Sequence, residues 1–258
     1  MRFFSENRLY TLLGSTINES SGTGSLAFDE ATRYGWTSNG EDTDGDSVYL
    51  ENILTVATLI DRIFVKDSNI DNLTITVDLG AGYVALSYDE VQSSSDSKTH
   101  LFILNTPISL EKIKISGSNT IIADQEKTIK QVYAFTELGR IENYEDISPS
   151  RERVQKINKL QAGKVDVIDF GRYFTFKLKL KTHYVEDDNA VIDMLLQRNV
   201  PMFVWINDNT ESVMTMYQEP FRFKDIFKVS VQKKDKLSFA KNLFFSGIDE
   251  SVDMVEVY

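Results

Sequence analysis

Cysteine is absent from the 258 residues, which excludes disulfides and thiolate metal sites and leaves packing as the source of stability. Histidine occurs twice, at His100 and His183, each at the end of a strand-like run. No GxSxG, HExxH or Walker pattern occurs, so neither spacing nor motif points to a catalytic triad, a zinc site or a phosphate-binding loop. No window approaches the roughly 18 consecutive apolar residues of a membrane span. The segment MRFFSENRLYTLL has charge inside its apolar run and no small-residue cleavage site, so synthesis in a cytoplasm without a signal peptide is expected. Basic charge is scarce, at 28 Lys+Arg against 39 Asp+Glu, a net charge of -11. Residues 1–138 carry 10 basic and 20 acidic side chains, net -10, and the rest carry 18 and 19, net -1. The acidic half repels phosphate backbones, so nucleic acid is not expected as its partner.

What is present is a globular composition, 41% hydrophobic and 11% aromatic, in a chain long enough for two cores. SVYLENI, LIDRIFVKD, LTITVD, YVALSY, HLFILN, EKIKISG and IKQVYAF are short runs rich in β-branched and aromatic residues. Gly, Asn, Asp and Ser clusters separate them, the pattern of an antiparallel β-sandwich. After Phe135 the pattern changes. TELGRIENYEDISPSRERVQKINKL is polar and holds Pro149, which marks it as a linker. Beyond it, KVDVIDF, the long run YFTFKLKLKTHY and PMFVWIN read as strands, and Val191, Met194 and Leu195 fall at helical spacing. The expected fold class is therefore mainly β: a sandwich over 1–138, a linker over 139–160, and over 161–258 an α+β domain with one helix against a sheet.

The first half resembles the discoidin, or coagulation factor 5/8 type C, branch of the galactose-binding-like β-sandwiches. INESSGTGS, LAFDEATRYGW, Ser38, VYLEN, LIDRIFVKDSN, LTITVD, EKIKIS and KQVYAF carry that resemblance, with FD…W as its distinctive fixture. The chain departs from the family's pattern in lacking a cysteine pair and in having Glu30 after Asp29. The resemblance implies a jelly-roll sandwich that takes a glycan or a neighbouring subunit. The second half is similar in texture to small α+β domains of bacteriophage tail and baseplate proteins. That implies a structural virion component, assembled in the host cytoplasm as a homo-oligomeric ring with other tail subunits, with no reaction catalysed. The alternative is a free carbohydrate- or surface-binding protein.

Several residues are candidates for a site. Asp42, Asp44 and Asp46 alternate as an EF-hand loop begins, but Ser47 and Ile53 stand where that loop needs Gly and Glu. A looser Ca²⁺ site that adds Asp29 is the alternative to a solvated acidic turn; no other cofactor is expected. Trp36 reads as scaffold with its indole N–H satisfied locally, the alternative being an apolar face offered to a sugar ring. Tyr34, Asn39, Tyr83 and Tyr88 lie in or beside loops and are the expected ligand rim. Lys177, Lys179 and Lys181 alternate with Phe176, Leu178 and Leu180, which gives one basic strand face, either solvated or an interface to an acidic neighbour.

Overall fold

The computed structural model describes residues 2–10, 14–29, 34–92, 98–141, 144–159, 165–180, 191, 194–195, 197, 200–205, 226–231, 239–242, 245–248 and 251–256. The chain forms two compact units. The described residues of 4–137 form one, and those of 2–3, 138–205 and 226–256 form the other.

After β1 (Arg2–Phe4), the sandwich unit runs β2 (Thr16–Glu19), a 3-10 turn (Gly24–Ala27), β3 (Trp36–Thr37) and β4 (Val48–Ser68). It continues with β5 (Thr74–Asp78), β6 (Tyr83–Ala85), β7 (Tyr88–Gln92), β8 (Lys98–Gly117) and β9 (Thr128–Phe135). Its strand pairs are antiparallel. SVYLENI and LIDRIFVKD, expected as two strands, are one 21-residue strand, and HLFILN and EKIKISG are likewise joined in β8. The β4–β8 register shifts between Ile53 and Thr58 and again between Ile60 and Arg62; irregularities of this kind let a strand bend without ending. Before the bend β4 pairs with β2 and the end of β8; after it, with β9 and the start of β8. Both long strands therefore serve both layers.

Between the layers lie Leu50, Ile63, Val65, Ile75, Val77, Phe102, Ile113, Ile115 and Val132, and Phe28 and Trp36 belong to the same buried cluster. Each fully buried side chain of this size stabilises by about 1.5–3 kcal/mol. Alternation makes this core: Val48 and Leu50 point in, while Tyr49 and Glu51 are half-buried on the outer face.

The second unit contains β10 (Glu137–Arg140), β11 (Tyr144–Lys159), β12 (Val165–Leu180), β13 (Met202–Trp205), β14 (Ile226–Val231), β15 (Phe239–Asn242), β16 (Phe245–Ile248) and β17 (Ser251–Glu256). Its main sheet has the order β10-β1-β13-β14-β17-β12-β11, and β15 and β16 pair separately. Where the linker over 139–160 was expected, β11 pairs with β12 from Tyr144↔Leu180 to Lys159↔Val165. Its charges and Pro149 suit a sheet-edge strand, which is how a paired segment came to look like a linker. Val191, Met194, Leu195 and Gln197 are helical. A Cβ on Gly139 would lie 2.5 Å from Val191 Cγ2, so glycine is what lets the helix approach β10. Within β12, Lys177 stands opposite Ser148 and Asp253, and Lys179 opposite Asp146 and Ser251. The basic row thus has acidic register partners on both neighbouring strands. Lys181 lies outside the described residues.

Candidate functional site

On the outer sheet face, pairing places Asn18 opposite Glu51, Glu51 opposite Lys114, Lys114 opposite Thr76 and Thr76 opposite Ala85. One cross-strand row therefore runs through β2, β4, β8, β5 and β6. The β2 end of this row opens into a cleft of about 450 Å³ lined by Ile17, Asn18, Glu19, Tyr49, Glu51 and Lys114. The Glu51 carboxylate accepts hydrogen bonds from Asn18 Nδ2 and from the Tyr83 hydroxyl. Burial pushes the Glu51 carboxyl up, but the bonds from Tyr83 and Asn18 and the charges of Lys114 and Lys112 outweigh it and hold the group below its usual range. Burial, then the bond to Glu51, drives the Tyr83 phenol far upward. The Lys114 ammonium lies 4.3 Å from the Tyr49 ring centroid and 5.8 Å from that of Tyr83.

A pinned turn positions Tyr83. Asp78 Oδ1 accepts the Gly80 and Gly82 backbone N–H groups at 2.8 and 2.9 Å, and Asp78 Oδ2 accepts Lys112 Nζ at 2.8 Å. Gly80 and Gly82 have φ of 99° and 103°, the left-handed region that favours glycine. The Lys112 bond first, then the two glycine N–H bonds, lower the Asp78 carboxyl to about 2.

None of the four expected rim residues lines this cleft, although Tyr83 reaches it through its bond to Glu51. Tyr34 is exposed and Asn39 donates its backbone N–H to Ser21 Oγ; these two flank β3. Tyr88 is half-buried and meets Phe102 edge-on at 4.9 Å, packed against the core rather than placed at a rim. Asn18, Tyr49, Glu51 and Lys114 were missed. Strand alternation in VYLEN and EKIKIS puts Tyr49 with Glu51 and Lys112 with Lys114 on shared faces, but the pairing that unites them is not visible in spacing.

The acidic loop is organised by protein groups. Asp44 Oδ1 accepts Thr120 N and Thr120 Oγ1 at 3.1 and 3.0 Å, and Asp44 N donates to Asp124 Oδ1 at 3.2 Å. The Thr120 backbone bond leads the effects that lower the Asp44 carboxyl. Asp42 and Asp46 are exposed, and the Asp29 carbonyl accepts Gln131 Nε2 at 3.5 Å. Lys127, fully buried, donates from Nζ to the Glu41 and Thr43 carbonyls at 2.7 Å each. An ammonium thus lies against two carbonyls of the acidic loop. Among the described residues no group of three or more His, Cys, Asp or Glu is placed to hold a metal. Trp36 is buried and donates Nε1–H to the Ser21 carbonyl at 2.7 Å, which makes it scaffold.

No family model matches the chain, and no curated protein matches it. Among solved structures, the chain is similar to the family 32 carbohydrate-binding module of Clostridium perfringens NanJ in complex with galactose, at 16% identity and TM-score 0.42, covering 50% of this chain and 98% of that one. It is similar also to chitosan-binding module 1 of a chitosanase/glucanase from Paenibacillus sp. IK-5, at 16% identity and TM-score 0.39, covering 50% and 98%. A third is a Clostridium perfringens module in complex with GalNAc-beta-1,3-galactose, at 14% identity and TM-score 0.37, covering 47% and 95%.

Proposed function

We propose that the chain is a non-catalytic binding protein whose sandwich unit takes a saccharide on its outer sheet face. One observation carries this reading: an amide, a carboxylate and an ammonium, from Asn18, Glu51 and Lys114, line a single cleft, and the Tyr83 phenol donates to that carboxylate. Donors and acceptors in that alternation suit the hydroxyls of a sugar, each of which both gives and accepts a hydrogen bond. Lys114 covers the Tyr49 ring, so little apolar area is open for stacking, and affinity should be weak, roughly millimolar or about -4 kcal/mol. Titration of the full chain with a panel of neutral oligosaccharides, followed by backbone amide NMR, tests this. Saturable shifts at Asn18, Glu51 and Lys114 that vanish in Glu51→Gln, with an unchanged melting temperature, are expected. If no saccharide moves those signals, the reading fails. No feature of the described residues points to a bacteriophage tail or baseplate role.

A further inference from the structure

We propose that this cleft is built to receive a protonated primary amine carried on a saccharide, a place that Lys114 fills from within until such a ligand arrives. The proposal rests on the saccharide reading above and specifies its ligand class. Lys114 shows what the site attracts, since its ammonium is the group that lies over both tyrosine rings, at 4.3 and 5.8 Å. Ring faces attract cations, most strongly when partly desolvated. Among the described residues the Lys114 ammonium makes no hydrogen bond and no ion pair, so cation–π attraction and the nearby Glu51 charge hold it there. Such a hold is weak enough for an incoming ammonium to displace, and the four-carbon stem gives Lys114 room to swing aside.

Two further features select for positive charge. Glu51 remains ionised beside the rings, with Asn18 and Tyr83 fixing its orientation. Residues 1–138 also carry net -10, a field that concentrates cations and repels acidic sugars. N-acetylation removes the ligand's charge, and with it both the ring and the carboxylate attraction. A free-amine saccharide should therefore bind better than its N-acetylated twin, and Lys114 should act as its competitor.

The test is calorimetric titration of the full chain with a glucosamine trisaccharide and with its N-acetylated counterpart, at a pH where the free amine is protonated. The expected preference for the free amine is roughly three- to thirtyfold, the sum of an exposed cation–π contact and a partly exposed ion pair. It should disappear when the pH is raised until the amine is neutral. Lys114→Met should tighten amine binding about two- to fivefold by removing the internal competitor. Lys114→Gln serves as a second variant should the methionine form fail to fold. Equal affinity for the two trisaccharides, or weaker amine binding in both variants, overturns the amine assignment and leaves the saccharide reading standing. Binding of neither trisaccharide overturns both.

Discussion

Replacing Lys127 by methionine should loosen the whole Glu41–Asp46 loop, and the size of the effect follows from its contacts. The side chain is fully buried and gives two hydrogen bonds of 2.7 Å to the Glu41 and Thr43 carbonyls. Its backbone N–H donates to Ser38 Oγ at 2.9 Å, while Ser38 N–H returns a bond to the Lys127 carbonyl at 2.8 Å. A hydrogen bond from a charged donor contributes about 1.5–3 kcal/mol. Methionine keeps the aliphatic stem and the backbone bonds, so two such contacts are lost. The low end applies because Thr43 is exposed and water can re-solvate its carbonyl, and the desolvation cost of the ammonium is recovered. The net loss should be about 2–3 kcal/mol, a fall of roughly 5–10 °C in the melting temperature of the sandwich unit. Thermal melts by circular dichroism, with and without a chelator, are the assay. A Lys127→Met protein that melts within about 1 °C of the parent refutes the reasoning. So does a parent that chelation destabilises by several degrees, because a metal would then be doing the work assigned here to the ammonium.

Trp36→Ala should cost about 3–5 kcal/mol and abolish the sandwich transition in a thermal scan, whereas Trp36→Phe should retain most of the stability. Asp78 has its carboxyl lowered to about 2, so its contribution is present above the unfolded value of 3.8 and is lost as pH falls from there towards 2. An acid titration of Asp78→Asn, monitored by fluorescence, should lack that step. Gly139→Ala should be destabilising because its Cβ would sit 2.5 Å from Val191 Cγ2. The double variant Gly139→Ala/Val191→Ala should recover part of the loss in a denaturant-unfolding cycle, a coupling of about 0.5 kcal/mol or more.

Strand content was legible in the first half because alternation there is strict: KIKIS and TITVD need half-buried strands, and both lie in strands. Strand continuity was not legible. At the β4 corner Thr55, Val56 and Ala57 are all exposed, and three exposed residues in a row look like a loop although the backbone stays paired on either side. The same limit applied to β11, where edge charges mimic a linker. For the candidate cleft, Tyr83 was among the expected rim residues because it lies beside a loop, and its bond to Glu51 brings it to the cleft's edge. Glu51 and Lys114 were not among them, because they are 63 positions apart and only the β4–β8 register brings them together. Trp36 was identified as scaffold from its place before the polar loop, and its bond to the Ser21 carbonyl gives the reason.

The two long strands that serve both layers have a kinetic consequence. Neither layer of the sandwich can assemble alone, since β4 and β8 must be in register along most of their length for either to close. Their pairs join residues as distant as Val48 and Gly117, and β4 must also receive β9, from Arg62↔Phe135 to Ser68↔Ile129. Contacts so far apart in the chain cost loop entropy before they return any packing. The sandwich should therefore fold in a single concerted step on a timescale of milliseconds to seconds. A nick anywhere in β4 would disable both layers at once, where a nick in a strand confined to one layer would leave the other its pairing.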